Sequence, residues 1–234
     1  MILCLETATN VCSVALCNNE GTEMVKESSE PKSHASTLTV LINEILVEYG
    51  IRPSELEAIA VSKGPGSYTG LRIGVSVAKG ICFASGVPLI GIETPTAMFH
   101  GFISARRSSL PDPCRVYYSP MIDARRMEVY YAIYDCKGNK IKDISAGILN
   151  SDIFAGVTGH HQVIAFGDGS FKLKNLLPTA DVSVADDFRM SAAHLQIPAA
   201  EALKSGKFED VAYFEPFYLK DFIATKQVKN ILGK

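Results

Sequence analysis

The sequence predicts an α/β protein built on mixed sheets, and three observations carry that expectation. Apolar runs of strand length recur through both halves. Two stretches repeat apolar residues at helical spacing. Three strand-like runs precede the first helix, so part of the sheet must be an antiparallel meander. With 234 residues, 47% of them hydrophobic and 21% charged, the chain can bury a substantial core and is not disordered.

Taken in order, residues 2–7 and 11–17 read as strands around an Ala8-Thr9-Asn10 turn, and 22–28 as a third after Asn18-Asn19-Glu20-Gly21. Leu38, Leu41, Ile42, Ile45 and Tyr49 share one face of a helix over 33–49, with Ser33 as N-cap and Gly50 as its stop. Val40 and Val47 form a second, weaker apolar line on it. A strand at 57–63, a glycine loop, a helix at 70–85 and a strand at 87–93 complete a β-β-β-α-β-α-β order. Residues 106–113 turn polar and proline-bearing, which places a boundary between lobes 1–105 and 106–234. Beyond it, 115–123 and 127–134 read as strands, Lys137-Gly138-Asn139 as a turn into a third, and 163–166 as a strand entering Gly167-Asp168-Gly169-Ser170. Residues 191–204 are helical, with Pro198 breaking or restarting the helix. Each half opens with a meander whose first strand ends near an acid, Glu6 or Asp123, which an internal duplication would explain.

The loop Gly64-Pro65-Gly66-Ser67-Tyr68-Thr69-Gly70 turns a strand into a helix, with Thr69 as the expected N-cap. It fails as a P-loop, because Leu71 and Arg72 stand where Lys and Ser/Thr belong. It also fails the dinucleotide fingerprint, since Gly66 and Gly70 are four apart. Its amides can hold an anion or dock on another backbone. In the following helix Gly70, Gly74 and Ala78 share one face, Ile73, Val77 and Ile81 a second, and Leu71, Val75 and Cys82 a third. Arg72, Ser76 and Lys79 leave only a narrow polar strip. Such a helix is covered on more than one side, by its own domain or by a partner.

A net charge of −2 argues against a strong independent grip on nucleic acid. The tail 216–234, at net +3, is either solvated or a local RNA contact. Cys4, Cys12, Cys17, Cys82, Cys114 and Cys136 form no CxxC pair, which fits reduced thiols in a cytosolic protein. Residues 1–5 are too short and lack the basic flank of an export signal. No run reaches the eighteen or so apolar residues of a spanning helix, so no membrane role is expected.

A twice-used β-β-β-α-β-α unit with acids at strand ends resembles the actin–hexokinase–Hsp70 (ASKHA) superfamily. Four phrases are similar to the TsaB (YeaZ) family: Glu6-Thr7-Ala8-Thr9, the glycine loop through Gly74, Ile122-Asp123-Ala124-Arg125 with Glu128-Val129-Tyr130, and Glu215-Pro216-Phe217-Tyr218-Leu219. The resemblance implies a two-lobed, duplicated ribonuclease H-like fold with a reduced second lobe. It also implies a non-catalytic subunit for tRNA N6-threonylcarbamoyladenosine formation. Such a subunit pairs with a TsaD-type transferase, is joined by a TsaE-type ATPase, and forms homodimers when alone. ATP, magnesium and metal then belong to the partner subunits, and tRNA is met through the complex.

On that reading the partner surface comprises Val40, Glu44 and Val47 of the first helix with Leu71, Gly74, Val75 and Ala78 of the second. Gly74→Arg is then expected to break the heterodimer without unfolding the chain. TsaD-like proteins carry a His-x-x-x-His pair where this chain has Thr94-Pro95-Thr96-Ala97-Met98. His34, His100 and the adjacent His160-His161 supply no helical ligand spacing. Glu6 and Asp123 are either a cleft-facing acid pair for an ATP-dependent kinase or ATPase, or hydrogen-bonded remnants at strand ends.

Overall fold

The computed structural model describes residues 1–30, 34–106, 115–159, 161–176 and 181–220. In the first half β1 (Ile2–Glu6), β2 (Cys12–Cys17), β3 (Thr22–Ser28), β4 (Ala58–Gly64) and β5 (Leu89–Glu93) form one sheet, ordered β3-β2-β1-β4-β5. In the second, β6 (Val116–Asp123), β7 (Glu128–Tyr134), β8 (Lys140–Ile148), β9 (Gln162–Phe166) and β10 (Val182–Ala185) are ordered β10-β9-β6-β7-β8. β1 runs antiparallel to β2 and parallel to β4, and β6 does the same with β7 and β9. The duplication suggested by two acid-terminated phrases is therefore a strand-for-strand correspondence of topology.

β1 and β2 are buried on both faces, which their near-continuous apolar sequences require. Alternation sorts the side chains. Leu3, Leu5, Val14, Leu16, Ile59 and Val61 meet α1 (His34–Tyr49) and α2 (Tyr68–Ser85) on one face. On the other, Ile2, Cys4, Ala15, Cys17, Ala58 and Ala60 meet α3 (Thr94–Arg106) and α4 (Gln196–Lys204). Cys4, Cys12, Cys17, Cys82 and Cys136 are free thiols, and Cys114 lies outside the described residues.

Two local expectations are corrected. The N-cap of α2 is Ser67, whose Oγ accepts from the Gly70 amide at 3.3 Å, while Thr69 lies inside the first turn. Leu46 completes the buried face of α1, and Tyr49 is largely exposed in its last turn. The helical stretch does restart near Pro198, as expected: a 3-10 helix, Ala192–Leu195, gives way to α4 at Gln196, with Pro198 in the first turn, where no amide is needed. Ser33, residues 107–113 of the expected boundary, and Lys226, Lys229 and Lys234 of the tail lie outside the described residues.

The second half carries a short 3-10 helix, Ser170–Asn175, between β9 and β10, where the first half has α2 between β4 and β5. α3 lies between the two sheets and belongs to a core drawn from both. Phe102 stacks on Phe166 at 4.1 Å between centroids, and Phe99 on Tyr134 at 4.8 Å. A Cβ on Gly101 would overlap the His194 ring, so the packing there tolerates no larger residue.

After α4 the chain returns to the first sheet. The Glu209 amide donates to Leu89 O at 2.8 Å, and Phe214 enters the α1–α2 core. Lys79 Nζ donates to the Phe214 carbonyl at 2.9 Å, and the Phe217 amide to the Lys63 carbonyl at 2.7 Å. Lys220 then pairs with Glu128 of the second sheet.

Phe102→Ala is expected to cost about 3–5 kcal/mol in urea unfolding. Both sheets should still lose amide-exchange protection in a single transition, because they share the core it damages.

Candidate functional site

The glycine loop owes its composition to backbone contact. The Ser67 amide donates to the Ala8 carbonyl at 2.7 Å. A Cβ on Gly66 would overlap that same carbonyl oxygen, one on Gly70 the Thr7 carbonyl oxygen, and one on Gly74 the Thr7 hydroxyl. The loop and the start of α2 are pressed onto the turn after β1. Of the two uses open to the loop, docking on another backbone is the one realised.

The β1–β4 register sets Glu6 beside Ser62, both on the face toward α3. Glu6 is fully buried. Its Oε1 accepts from the Ala8 amide at 2.6 Å, and its Oε2 accepts from the Ser62 hydroxyl. Burial pushes the Glu6 carboxyl up to about 7 against the opposing pull of these hydrogen bonds, and the nearby Asp168 carboxylate adds to the rise. Ser62 was not singled out in the sequence, although the register of two parallel strands is the signal that finds it.

A cleft of about 200 Å³ lies between the first hairpin turn (Thr9 to Val11), Met98 of α3, Asp168 and Phe188. Asp123 is not the acid that faces Glu6. Its exposed carboxylate accepts from the Arg125 amide at 2.6 Å and pairs with Lys172 at 2.5 Å. The carboxylate whose charge bears on Glu6 is Asp168: its Oδ1 accepts from the Asp123 amide at 3.0 Å, and burial raises its carboxyl above the ordinary range. The turn that carries Asp168 is pressed onto β6 much as the glycine loop is pressed onto β1. A Cβ on Gly167 would overlap the Met121 carbonyl oxygen, and one on Gly169 would lie 2.8 Å from the Ile122 carbonyl carbon. Of the two readings of Glu6 and Asp123, hydrogen-bonded acids at strand ends is the one the geometry fits, and the cleft-facing pair is not.

Four of the expected partner-binding residues are corrected as well. Leu71, at 1% exposure, and Gly74, Val75 and Ala78 are buried against the chain's own strands and the Thr7 turn. An almost wholly apolar helix does not reveal which face docks, and here the small residues bring α2 close to β1. The face left open is offset from theirs. It carries Ser76, Gly80 and Phe83, the last 85% exposed, flanked by the half-buried Ile73 and Val77. A Cβ on Gly80 would meet nothing within 4 Å. On α1, which packs beside α2, Val40 and Val47 are 52% and 72% exposed. Glu44 lies between them, 3.5 Å from Lys26.

Among the described residues no group of three or more His, Cys, Asp or Glu side chains is disposed to hold a metal ion. His194 stacks on Phe188 at 5.2 Å, His161 stacks on Tyr117 at 4.1 Å, and His160 lies outside the described residues. No described helix is long and apolar enough to cross a membrane.

A family model described as TsaD, tRNA N6-adenosine threonylcarbamoyltransferase, matches residues 28–212. The tRNA threonylcarbamoyladenosine biosynthesis protein TsaB of Escherichia coli K12 is 30% identical over 238 residues, covering 97% of each chain. Its counterpart in Haemophilus influenzae is 32% identical over 131 residues, 56% of this chain and 52% of that one. The solved structure of YeaZ from Pseudomonas aeruginosa superposes with a TM-score of 0.76 at 25% identity, covering 93% of this chain and 99% of that one.

Two outcomes follow from the buried geometry. Gly74→Ala is expected to destabilise the fold by about 1–3 kcal/mol, and Gly74→Arg to prevent folding, both read from thermal melts. Glu6 has a folded-state pKa raised from 4.5 to about 7, so its stabilising contribution is complete below pH 4.5 and is lost as pH rises to 7. Denaturant titrations across that window should show a decline of about 3 kcal/mol that Glu6→Gln flattens.

Proposed function

The chain belongs to the TsaB family of tRNA threonylcarbamoyladenosine biosynthesis proteins, and on that premise we propose that it is a non-catalytic partner subunit of a tRNA N6-threonylcarbamoyladenosine synthesis complex. It forms a heterodimer with a TsaD-type transferase, its paralogue, and helps recruit a TsaE-type ATPase. ATP, magnesium and the catalytic metal reside on those partners. tRNA is engaged by the assembly, in the cytoplasm, and the free chain pairs with itself through the face that otherwise receives the transferase.

The observation that carries this reading is the apolar stripe of α1 and α2. Val40 and Val47 on one helix and Phe83 on the other stand in water, flanked by Ile73 and Val77. Gly80 leaves room for a partner helix to approach closely. Burying this stripe contributes about 25 cal/mol per Å² of apolar area before association costs are subtracted.

The competing reading, an ATP-dependent kinase or ATPase, rests on the cleft beside Asp168. Micromolar Mg-ATP binding to the isolated chain, abolished in Asp168→Ala, is the calorimetric result that favours it.

Val47→Asp combined with Phe83→Asp should leave stability within about 0.5 kcal/mol of the parent, since both side chains are exposed. The double variant is expected to stop co-eluting with a TsaD-type partner and to lower reconstituted tRNA modification at least tenfold, roughly the effect of losing 1.4 kcal/mol of binding. Normal co-elution with full modification overturns the assignment.

A further inference from the structure

The hairpin between β6 and β7 contains the only non-glycine residues at positive φ among the described residues, Arg125 at 69° and Arg126 at 48°. Such conformations are costly for side chains of this size, and two in succession are rarer still. The next hairpin, between β7 and β8, meets the same demand with a glycine, Gly138 at φ 86°. Two arginines therefore occupy positions that Asn and Gly would fill with less strain. Turn geometry alone does not explain their presence.

Their side chains are exposed, and among the described residues neither guanidinium has an ion-pair or hydrogen-bond acceptor. The two nearest carboxylates in sequence are already engaged, Asp123 by Lys172 and Glu128 by Lys220. Two guanidiniums on consecutive residues, with Lys172 and Lys220 at the flanking carboxylates, leave the turn with a local excess of positive charge that suits a polyanion. Each presents a planar fork of donors matched to a phosphate.

What adjoins the turn narrows the class of polyanion. Lys220, bound to Glu128, leads back along the chain to Tyr218, whose ring lies tilted against that of Tyr68 at 5.1 Å. The Arg72 guanidinium lies 4.2 Å from the centre of the Tyr68 ring, and its Nε donates to the Tyr218 hydroxyl at 3.2 Å. Those rings and the Arg72 guanidinium are engaged with one another, so what the turn itself offers is phosphate-binding forks, which suits the backbone of a nucleic acid contacted without base readout. A net charge of −2 for the whole chain makes this a local contact.

We propose that the β6–β7 turn contacts the phosphodiester backbone of RNA, with Arg125 and Arg126 each binding a phosphate of the tRNA that the complex handles. The proposal rests on the functional reading above. Its test replaces Arg125→Asn together with Arg126→Gly in the full chain assembled with its TsaD-type partner. Both replacements accept positive φ, so the thermal midpoint should stay level or rise. Binding of unmodified tRNA is measured by filter retention between 50 and 200 mM KCl. Loss of two phosphate contacts is expected to reduce the slope of log K against log salt by about 1.4–1.8 and to weaken binding at the lowest salt.

An unchanged slope and affinity overturn the proposal. So does an unchanged slope accompanied by lost co-elution of a protein partner, which assigns the turn to an acidic protein surface instead. Wild-type assemblies that modify tRNA while the variant keeps its slope remove the RNA contact alone. Wild-type assemblies that neither bind nor modify tRNA remove the functional reading with it.

Discussion

The close approach of a glycine-bearing turn to the carbonyl end of a central strand is the constraint on which this fold rests, and it is met twice. After β4 the loop at Gly66 and Gly70 sits on the carbonyls of Thr7 and Ala8, and after β9 the turn at Gly167 and Gly169 sits on those of Met121 and Ile122. In both places a Cβ would occupy the space of a backbone atom. The positions are equivalent in topology, because β4 lies beside β1 as β9 lies beside β6. The glycines are thus as much a part of sheet packing as the apolar core.

This constraint also shapes the cleft. Pressing the first loop onto the Thr7 turn buries Glu6, which then depends on Ser62 and the Ala8 amide for its hydrogen bonds. Pressing the second turn onto β6 holds Asp168 by the Asp123 amide and leaves Asp123 outside, paired with Lys172. One acid on each side thus becomes structural through burial, while the helical face opposite, with Val47 and Phe83, stays free of the chain's own packing. Core and open apolar face lie on different sides of the same helix, α2.

Much of the architecture was legible in the sequence, because alternation and helical spacing are local. The first seven strands, β9, α1 and α2 appear close to their expected bounds, whereas α3 and β10 were not expected, and the twin acids pointed to the repeated topology. What local pattern does not encode is which side of an apolar helix faces inward. Gly70, Gly74 and Ala78 have the spacing of a helix-contact motif, yet they serve an approach to Thr7, and Gly80 and Phe83 drew no attention. The partners of Glu6 were hidden for a related reason: Ser62 and Asp168 are distant in sequence and meet it only through strand register and a turn. Positive φ at Arg125 and Arg126 was likewise beyond a reading by residue type.

α3 has a mechanical consequence. Phe99 and Phe102 belong to one apolar interior that includes Ile2 and Cys4 from the first sheet and Tyr118 and Phe166 from the second. A two-lobed machine that clamps a substrate needs a seam along which its jaws can part with little loss of contact. Here any such parting would drag stacked aromatic rings into solvent, so the halves move as a strut rather than as pincers. A strut transmits displacement: a push on the exposed face of α1 and α2 is passed through α3 to the second sheet.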